Sequence, residues 1–224
     1  MDRRYDVITF DCYGTLIDWR SGIANAFLRA AREDGITLRA EDVLREYNRI
    51  EPVVERERYR LYRDVLGETA FRVAHALGWP LAFARATFLA ESLPRWQPFP
   101  DTNAALARLR GAGYRLGILS NTDDDLLAAT RRHFTVGFDL IITAQQLKSY
   151  KPALPHFTAA REWIGDAPWL HAAESNFHDI VPTNAIGVPN AWVNRNRESA
   201  LPKGTPLFEV GDLRELAELL APKP

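Results

Sequence analysis

Apolar positions recur along this chain in two rhythms, and the switches between them divide it into elements. Val7, Ile8 and Phe10 form a short β-branched and aromatic run of the kind that makes a strand buried on both faces. The run ends on Asp11, and Tyr13-Gly14-Thr15 then turns the backbone, glycine supplying dihedrals that other residues avoid. From residue 19 the period lengthens to that of a helix. Ile23, Ala26, Phe27, Ala30 and Ala31 share a face over residues 19–34, and Gly35 closes the helix as a C-terminal cap. A heavily charged stretch, 39–66, carries Val43, Leu44, Tyr47, Ile50, Val53 and Val54 on one side, and Pro52 predicts a kink or a break in it. A third helix is predicted over 68–77, ended by Gly78, and a fourth over 81–91 after Pro80. No strand is predicted from 19 to 95. A helical block of ~75 residues is too long for an ordinary crossover connection, so it reads as an inserted helical domain.

Strand and helix alternate again after residue 96. The pattern predicts a helix from Asp101 to Ala112 and strands over 114–121 and 138–143, with a helix between them over 123–133. A helix over 155–164 follows, with Pro155 in its first turn. Next come a weaker strand over 169–173, a helix over 177–186 interrupted by Pro182, strands over 191–193 and 207–210, and a closing helix over 213–220. Repeated strand–helix units predict an α/β fold with a parallel sheet covered on both faces. The expected domains are a Rossmann-like core from residues 1–18 and 97–224 and an all-helical insertion from 19–96.

Composition narrows the classes. Of 224 residues, 46% are hydrophobic and 25% charged, ordinary for a globular enzyme. With 28 basic against 29 acidic residues the formal charge is -1, so no basic footprint for nucleic acid is present. The single cysteine, Cys12, excludes an internal disulfide and fits a reducing compartment. The opening Met1-Asp2-Arg3-Arg4 lacks the apolar stretch of a signal peptide, and no segment approaches the ~18 apolar residues of a membrane span. A cytoplasmic protein without a membrane partner is expected.

Four predicted strand ends carry polar groups: Asp11 and Thr15, then Ser120-Asn121, then Lys151 just before a helix, then Glu174-Ser175-Asn176-Phe177-His178-Asp179. Read singly, Ser120-Asn121 suits a helix cap and Lys151 a solvated surface charge. In open α/β sheets, however, ligands sit outside the carboxyl ends of the strands. Taken in order, Phe10-Asp11-Cys12-Tyr13-Gly14-Thr15-Leu16 and the three later clusters resemble the four motifs of the haloacid dehalogenase (HAD) superfamily, in its 2-haloacid dehalogenase form. The resemblance covers the whole core, and the helical insertion sits where these enzymes carry a cap domain.

The resemblance implies a nucleophile at Asp11, hydroxyls of Thr15 and Ser120 that hydrogen-bond its carboxylate or the substrate's, and a cation at Lys151 that neutralises both. It implies that Asn121 belongs to the halide or substrate pocket, and that Asn176 and Asp179 orient Lys151 and the hydrolytic water. It further implies a small 2-haloacid as substrate, a 2-hydroxy acid as product, usually with inversion, no cofactor or metal, and a homodimer. Superfamily phosphatases carry a second aspartate where this chain has Tyr13. An alkoxide leaving from phosphorus must be protonated, whereas halide needs no proton, so Tyr13 favours carbon–halogen cleavage. A Mg²⁺-dependent phosphatase and a non-catalytic binding protein are the alternatives. Where these dehalogenases carry serine, this chain has Glu174, which either pairs with Lys151 or, with Asp179, holds a divalent cation. A cap arginine is expected to accept halide, and among Arg39, Arg45, Arg49, Arg56, Arg58 and Arg60 the expectation falls on Arg49 or Arg45. Trp19 and Trp96 flank the two crossings between core and insertion. They are read as hinge packing or, with Tyr13, as walls of an apolar pocket.

Overall fold

The computed structural model describes residues 4–222. The lead-in at 1–3 and residues 223–224 lie outside the described residues. Strand β1 (Val7–Phe10) is buried on both faces, Val7 packing into one hydrophobic cluster and Ile8 and Phe10 into the other. It is flanked by β2 (Arg115–Ser120) and β4 (Trp169–Ala173), with β3 (Leu140–Thr143) beyond β2. β5 (Asn190–Val193) and β6 (Phe208–Val210) extend the other side, so the order is β3-β2-β1-β4-β5-β6, all parallel. The chain moves outward one way through β2 and β3, then returns to β4 and moves the other way. β1 therefore lies at the switch point, where open sheets leave a crevice at the carboxyl ends.

Ten α-helices accompany the sheet among the described residues: α1 (Trp19–Glu33), α2 (Ala40–Glu57), α3 (Tyr62–Ala76), α4 (Phe88–Ser92), α5 (Thr102–Gly111), α6 (Asp124–Thr130), α7 (Ala144–Leu147), α8 (Pro155–Ile164), α9 (Val181–Ala185) and α10 (Leu213–Leu220). The first five lie between β1 and β2, with no strand among them. α1, α8 and α10 match their sequence patterns closely. Elsewhere tertiary packing moved the boundaries.

Helix α2 runs through Pro52 without a break. Proline in a helix interior costs ~3 kcal/mol. Here Val43, Tyr47 and Ile50 before it and Val54 after it are buried together, and that packing holds both halves in line. Val53, expected on the apolar side, is exposed. Helix α3 begins six residues ahead of its sequence pattern. Its first backbone N–H groups, at Tyr62 and Arg63, donate to the carboxylate of Asp123 at 2.8 and 3.0 Å, a cap supplied from the far side of the chain. The helix expected over 81–91 is instead a 3-10 turn (Phe83–Arg85), α4, and a second 3-10 turn (Leu93–Arg95). Strand β4 is no weak edge: every residue is buried and it pairs on both sides.

Candidate active site

The carboxyl ends of β1, β2 and β4 open into a cavity of about 520 Å³, roofed by α1, α2 and the start of α3. Asp11 sits one residue past β1, its N–H donating to Ala172 O at 3.1 Å. The following turn depends on Gly14, whose φ is +104° and where a Cβ would lie 3.0 Å from Glu174 Oε2 and from Trp19 Nε1. That turn brings Thr15 back beneath Asp11, so its hydroxyl donates to Asp11 Oδ2 at 3.0 Å and accepts from the Glu174 N–H at 2.9 Å.

Lys151 is buried, 1% exposed, and every one of its three N–H donors is committed. They go to Asp11 Oδ1 at 2.9 Å, Leu119 O at 2.9 Å and Asp179 Oδ1 at 2.7 Å. Burial works against its positive charge, but Asp11 and Asp179 outweigh that effect and hold its pKa above the ordinary lysine value. Burial pushes the Asp11 carboxyl up, opposed by the Lys151 ammonium. Asp179 is also buried, yet Lys151 and His171 hold its carboxyl well below the usual range. His171 Nε2 lies 2.9 Å from Asp179 Oδ1, and its Nδ1 lies 2.8 Å from the Thr9 hydroxyl, which also accepts from Trp169 Nε1 at 2.7 Å. Because a carboxylate only accepts, Nε2 carries the proton and donates it to Asp179. A line of hydrogen bonds thus runs from the sheet interior through His171 and Asp179 to Lys151 and Asp11.

Asp11, Tyr13, Trp96, Ser120, Asn121, Lys151, Glu174 and Asp179 all reach the cavity, as expected from sequence. Thr15 stands directly behind Asp11. Asn121 clamps the Lys151 backbone: its Oδ1 accepts from Lys151 N at 2.7 Å and its Nδ2 donates to Lys151 O at 3.0 Å. The Ser120 hydroxyl is buried on the cavity wall with no partner among the described residues. The Tyr13 hydroxyl is turned aside onto Thr130 Oγ1 at 2.9 Å, and burial pushes its pKa well above the ordinary value. Trp96 meets Tyr13 edge-on, with ring centroids 5.9 Å apart, and lies over Gly22, where a Cβ would fall 2.4 Å from the indole. Trp19 and Trp96 therefore do both jobs considered for them, packing at the crossings and walling the cavity.

Two expected site residues are elsewhere. Asn176 lies off the cavity: its amide donates to Gly204 O at 2.8 Å and accepts from Leu201 N at 3.2 Å, tying down the 201–204 loop rather than orienting Lys151. Arg49 is turned outward with 63% of its side chain exposed, paired to Glu46, and Arg45 is likewise exposed beside Asp42. Neither borders the cavity. The arginine that lines the cavity is Arg56. Glu174 forms no ion pair with Lys151 among the described residues; its Oε1 accepts from Asn196 Nδ2 at 3.2 Å. Burial, with the nearby Asp11 charge, pushes its carboxyl up to about 7. No group of three His, Cys, Asp or Glu side chains is placed to hold a metal ion among the described residues.

Sequence reasoning missed His171, Glu51 and Glu55. His171 is the one charged or ionisable residue inside the apolar run of β4, which was signal enough. Tyr47, Glu51 and Glu55 recur every four residues along α2, a polar row beside the buried one, and all three face the cavity.

Residues 5–168 match the model of the haloacid dehalogenase-like hydrolases, and the chain belongs to that family. A curated relative from Xanthobacter autotrophicus, a (S)-2-haloacid dehalogenase, is 30% identical over 202 residues, covering 87% of this chain and 77% of its own length. A second (S)-2-haloacid dehalogenase, from Pseudomonas sp. (strain YL), is 28% identical and covers 95% of this chain and 93% of its own. The fold is that of the solved L-2-haloacid dehalogenase of Xanthobacter autotrophicus with chloropropionic acid covalently bound. That structure superposes with a TM-score of 0.80 at 22% identity, over 96% of this chain and 98% of its own.

Proposed function

We propose that this chain is a hydrolytic dehalogenase that converts small 2-haloacids to 2-hydroxy acids through an ester on Asp11. The observation that carries the reading is Asp11 itself, a buried carboxylate backed by Lys151 and Thr15 at the cavity floor, with Tyr13 turned away onto Thr130. An oxygen leaving group would need an acid beside it, and halide does not. The names of the Pseudomonas and Xanthobacter relatives support the same substrate class.

The first step is displacement. An Asp11 carboxylate oxygen attacks the halogen-bearing carbon, the carbon–halogen bond breaks, and halide leaves with the bonding pair. Lys151 holds Asp11 in place and keeps it ionised, and the Ser120 hydroxyl donates to the substrate carboxylate. Arg56, the arginine at the cavity, takes the role first expected of Arg49 and receives the halide. In the second step water adds to the Asp11 ester carbonyl and one of its protons passes to Glu174. The ester C–O bond breaks, and the departing alkoxide oxygen takes back the proton that Glu174 has received and leaves as the hydroxy acid. The water's other proton goes to solvent as the Asp11 carboxylate is restored. A base works best when its pKa is near the working pH, and Glu174 at about 7 meets that condition, whereas Asp179 is held too low. Residues 19–96 serve as a cap domain over a core of 1–18 and 97–224, and the tryptophans at the crossings form part of its apolar wall. The buried single thiol of Cys12 supports a reducing, cytoplasmic setting.

Halide release from chloroacetate and L-2-chloropropionate, with and without EDTA, tests this reading. Release that survives EDTA and is lost in Asp11→Asn is the expected result. Mg²⁺-dependent release of phosphate from small phosphate esters, with no halide formed, would overturn it in favour of a phosphatase.

A further inference from the structure

The cavity is lined by more carboxyl groups than the proposed reaction needs. Asp11, Glu51, Glu55, Glu174, Asp179 and Glu198 line it, against Lys151 and Arg56. Lys151 is fully committed to Asp11, Asp179 and Leu119, so none of its hydrogens remains for another group. Glu51 and Glu55 lie one turn apart on α2 and face the same space. Glu51 meets the Tyr62 hydroxyl. Glu55 accepts from Asn121 Nδ2 at 3.3 Å and stands 3.7 Å from His178 Nε2, an imidazole kept uncharged at neutral pH because burial pushes it down to about 4. The charges of Lys151 and Arg56 are felt at Glu55, but neither forms an ion pair with it or with Glu51 among the described residues.

Aromatic rings complete this wall. Trp19 and Tyr47 stand with centroids 5.8 Å apart, and Tyr62 borders the same space. Ring faces attract cations, most strongly where water is excluded. At the cavity floor the Ser120 hydroxyl is buried with no partner among the described residues, a polar group that faces the same space independently of the α2 wall. The floor and the α2 wall are thus parts of one cavity, one suited to a carboxylate-bearing reacting carbon and the other to positive charge.

We infer that Glu51 and Glu55, with the rings of Trp19, Tyr47 and Tyr62, form a recognition subsite for a cationic nitrogen, so that the preferred substrate is a haloacid carrying an ammonium group beyond the carbon attacked by Asp11. The inference rests on the proposed dehalogenase activity for the identity of the reacting end, and on the α2 wall alone for the cation. A neutral ligand leaves two neighbouring carboxylates in a poorly hydrated space, where burial pushes Glu51 up to about 7 and Glu55 to about 8. A bound cation restores their charged form, so binding near pH 7.5 also releases protons.

The test compares 2-chloro-4-(trimethylammonio)butanoate with its uncharged isostere, 2-chloro-5,5-dimethylhexanoate. The wild-type protein is expected to favour the cation by about tenfold or more in kcat/KM, the scale of a desolvated cation–π contact. The ratio is expected to fall toward one in the Glu51→Gln/Glu55→Gln variant. Because the preference is read first in the wild type, poor folding of the variant cannot hide it; a wild-type ratio at or below one overturns the inference. Calorimetry with the unreactive 4-(trimethylammonio)butanoate separates the subsite from the chemistry. Binding with proton release that weakens about tenfold in the double variant sustains the subsite even if no halide is formed from any compound, an outcome that would sink only the dehalogenase reading. No binding, or binding indifferent to both substitutions, removes the subsite whatever the turnover.

Discussion

Lys151 illustrates how one residue's environment sets another's chemistry. A buried ammonium is costly unless it is paired and hydrogen-bonded, and here two carboxylates and the Leu119 carbonyl surround it. The same contacts orient Asp11 and leave one of its faces toward the cavity. Glu174 is the opposite case, a carboxyl with no ion pair among the described residues, and its raised pKa is what the proton-accepting role proposed for it requires. Glu174→Gln is accordingly expected to release about one halide per active site and then stall, with turnover down ~10²-fold or more. Intact-protein mass spectrometry should find the acid residue retained on Asp11. A variant that turns over normally, with no adduct, would remove Glu174 from the second step. Asp11, Ser120, Asn121, Lys151, Glu174 and Asp179, which meet at the cavity, were legible as candidates because each falls at a predicted strand end or just before the next helix. Asn176 misled because its motif position is shared, while its side chain is drawn to the 201–204 loop.

At the scale of elements, the region between β1 and β2 is joined to the strand ends by Asp123. This carboxylate, 1% exposed, accepts the first two N–H groups of α3 and the Arg63 Nε at 3.1 Å. It therefore fixes Tyr62, which reaches the cavity beside Glu51. Asp123→Ala is expected to lower stability by ~1–2 kcal/mol, as loss of a helix cap does, with a reduced urea midpoint and an unchanged m-value. An unaltered midpoint would mean that α3 is held by packing alone. No local pattern around residue 62 foretold this helix start, because the capping side chain comes from 60 residues away. The passage of α2 through Pro52 has the same origin. Propensity is a local preference, and burial of Tyr47, Ile50 and Val54 overrode it.

For the whole molecule, the buried glutamates set the pH dependence of stability. Unfolded, Glu51, Glu55 and Glu174 titrate near 4.5; folded, they titrate at about 7, 8 and 7. Between those limits the native state holds protons that the unfolded chain has lost, so stability falls as pH rises. Asp179 acts in the other direction: its depressed pKa adds stability above the ordinary aspartate range, and that share is lost on acidification. Below pH 6.5 the buried His156 and His178, both pushed down to about 4, oppose this trend, so Tm is expected to decline from pH 6.5 to 8.5 and to decline less in Glu51→Gln/Glu55→Gln, as measured by scanning calorimetry. A Tm that rises across that interval would contradict the placement of these carboxylates. Among the described residues no helix is long and apolar enough to cross a membrane.

The α/β class, the run of helices between β1 and β2 and the polar residues near the strand ends were legible in the sequence alone, since hydrophobic period and the residues that follow a strand are local properties of the chain. Only the tertiary structure decided which of those polar residues meet. Arg49 and Arg56 lie seven residues apart on nearly the same side of α2, ~10 Å along its axis, so which of them reaches the cavity is decided by where along the helix the strand ends meet it. Whether Glu51 and Glu55 are solvated or enclosed depends on what covers them, namely Tyr62, Asn121 and His178 from three other parts of the chain. Burial is a property of the assembled fold, and it is burial that raises the pKa of two carboxyls that would be ordinary on an open surface.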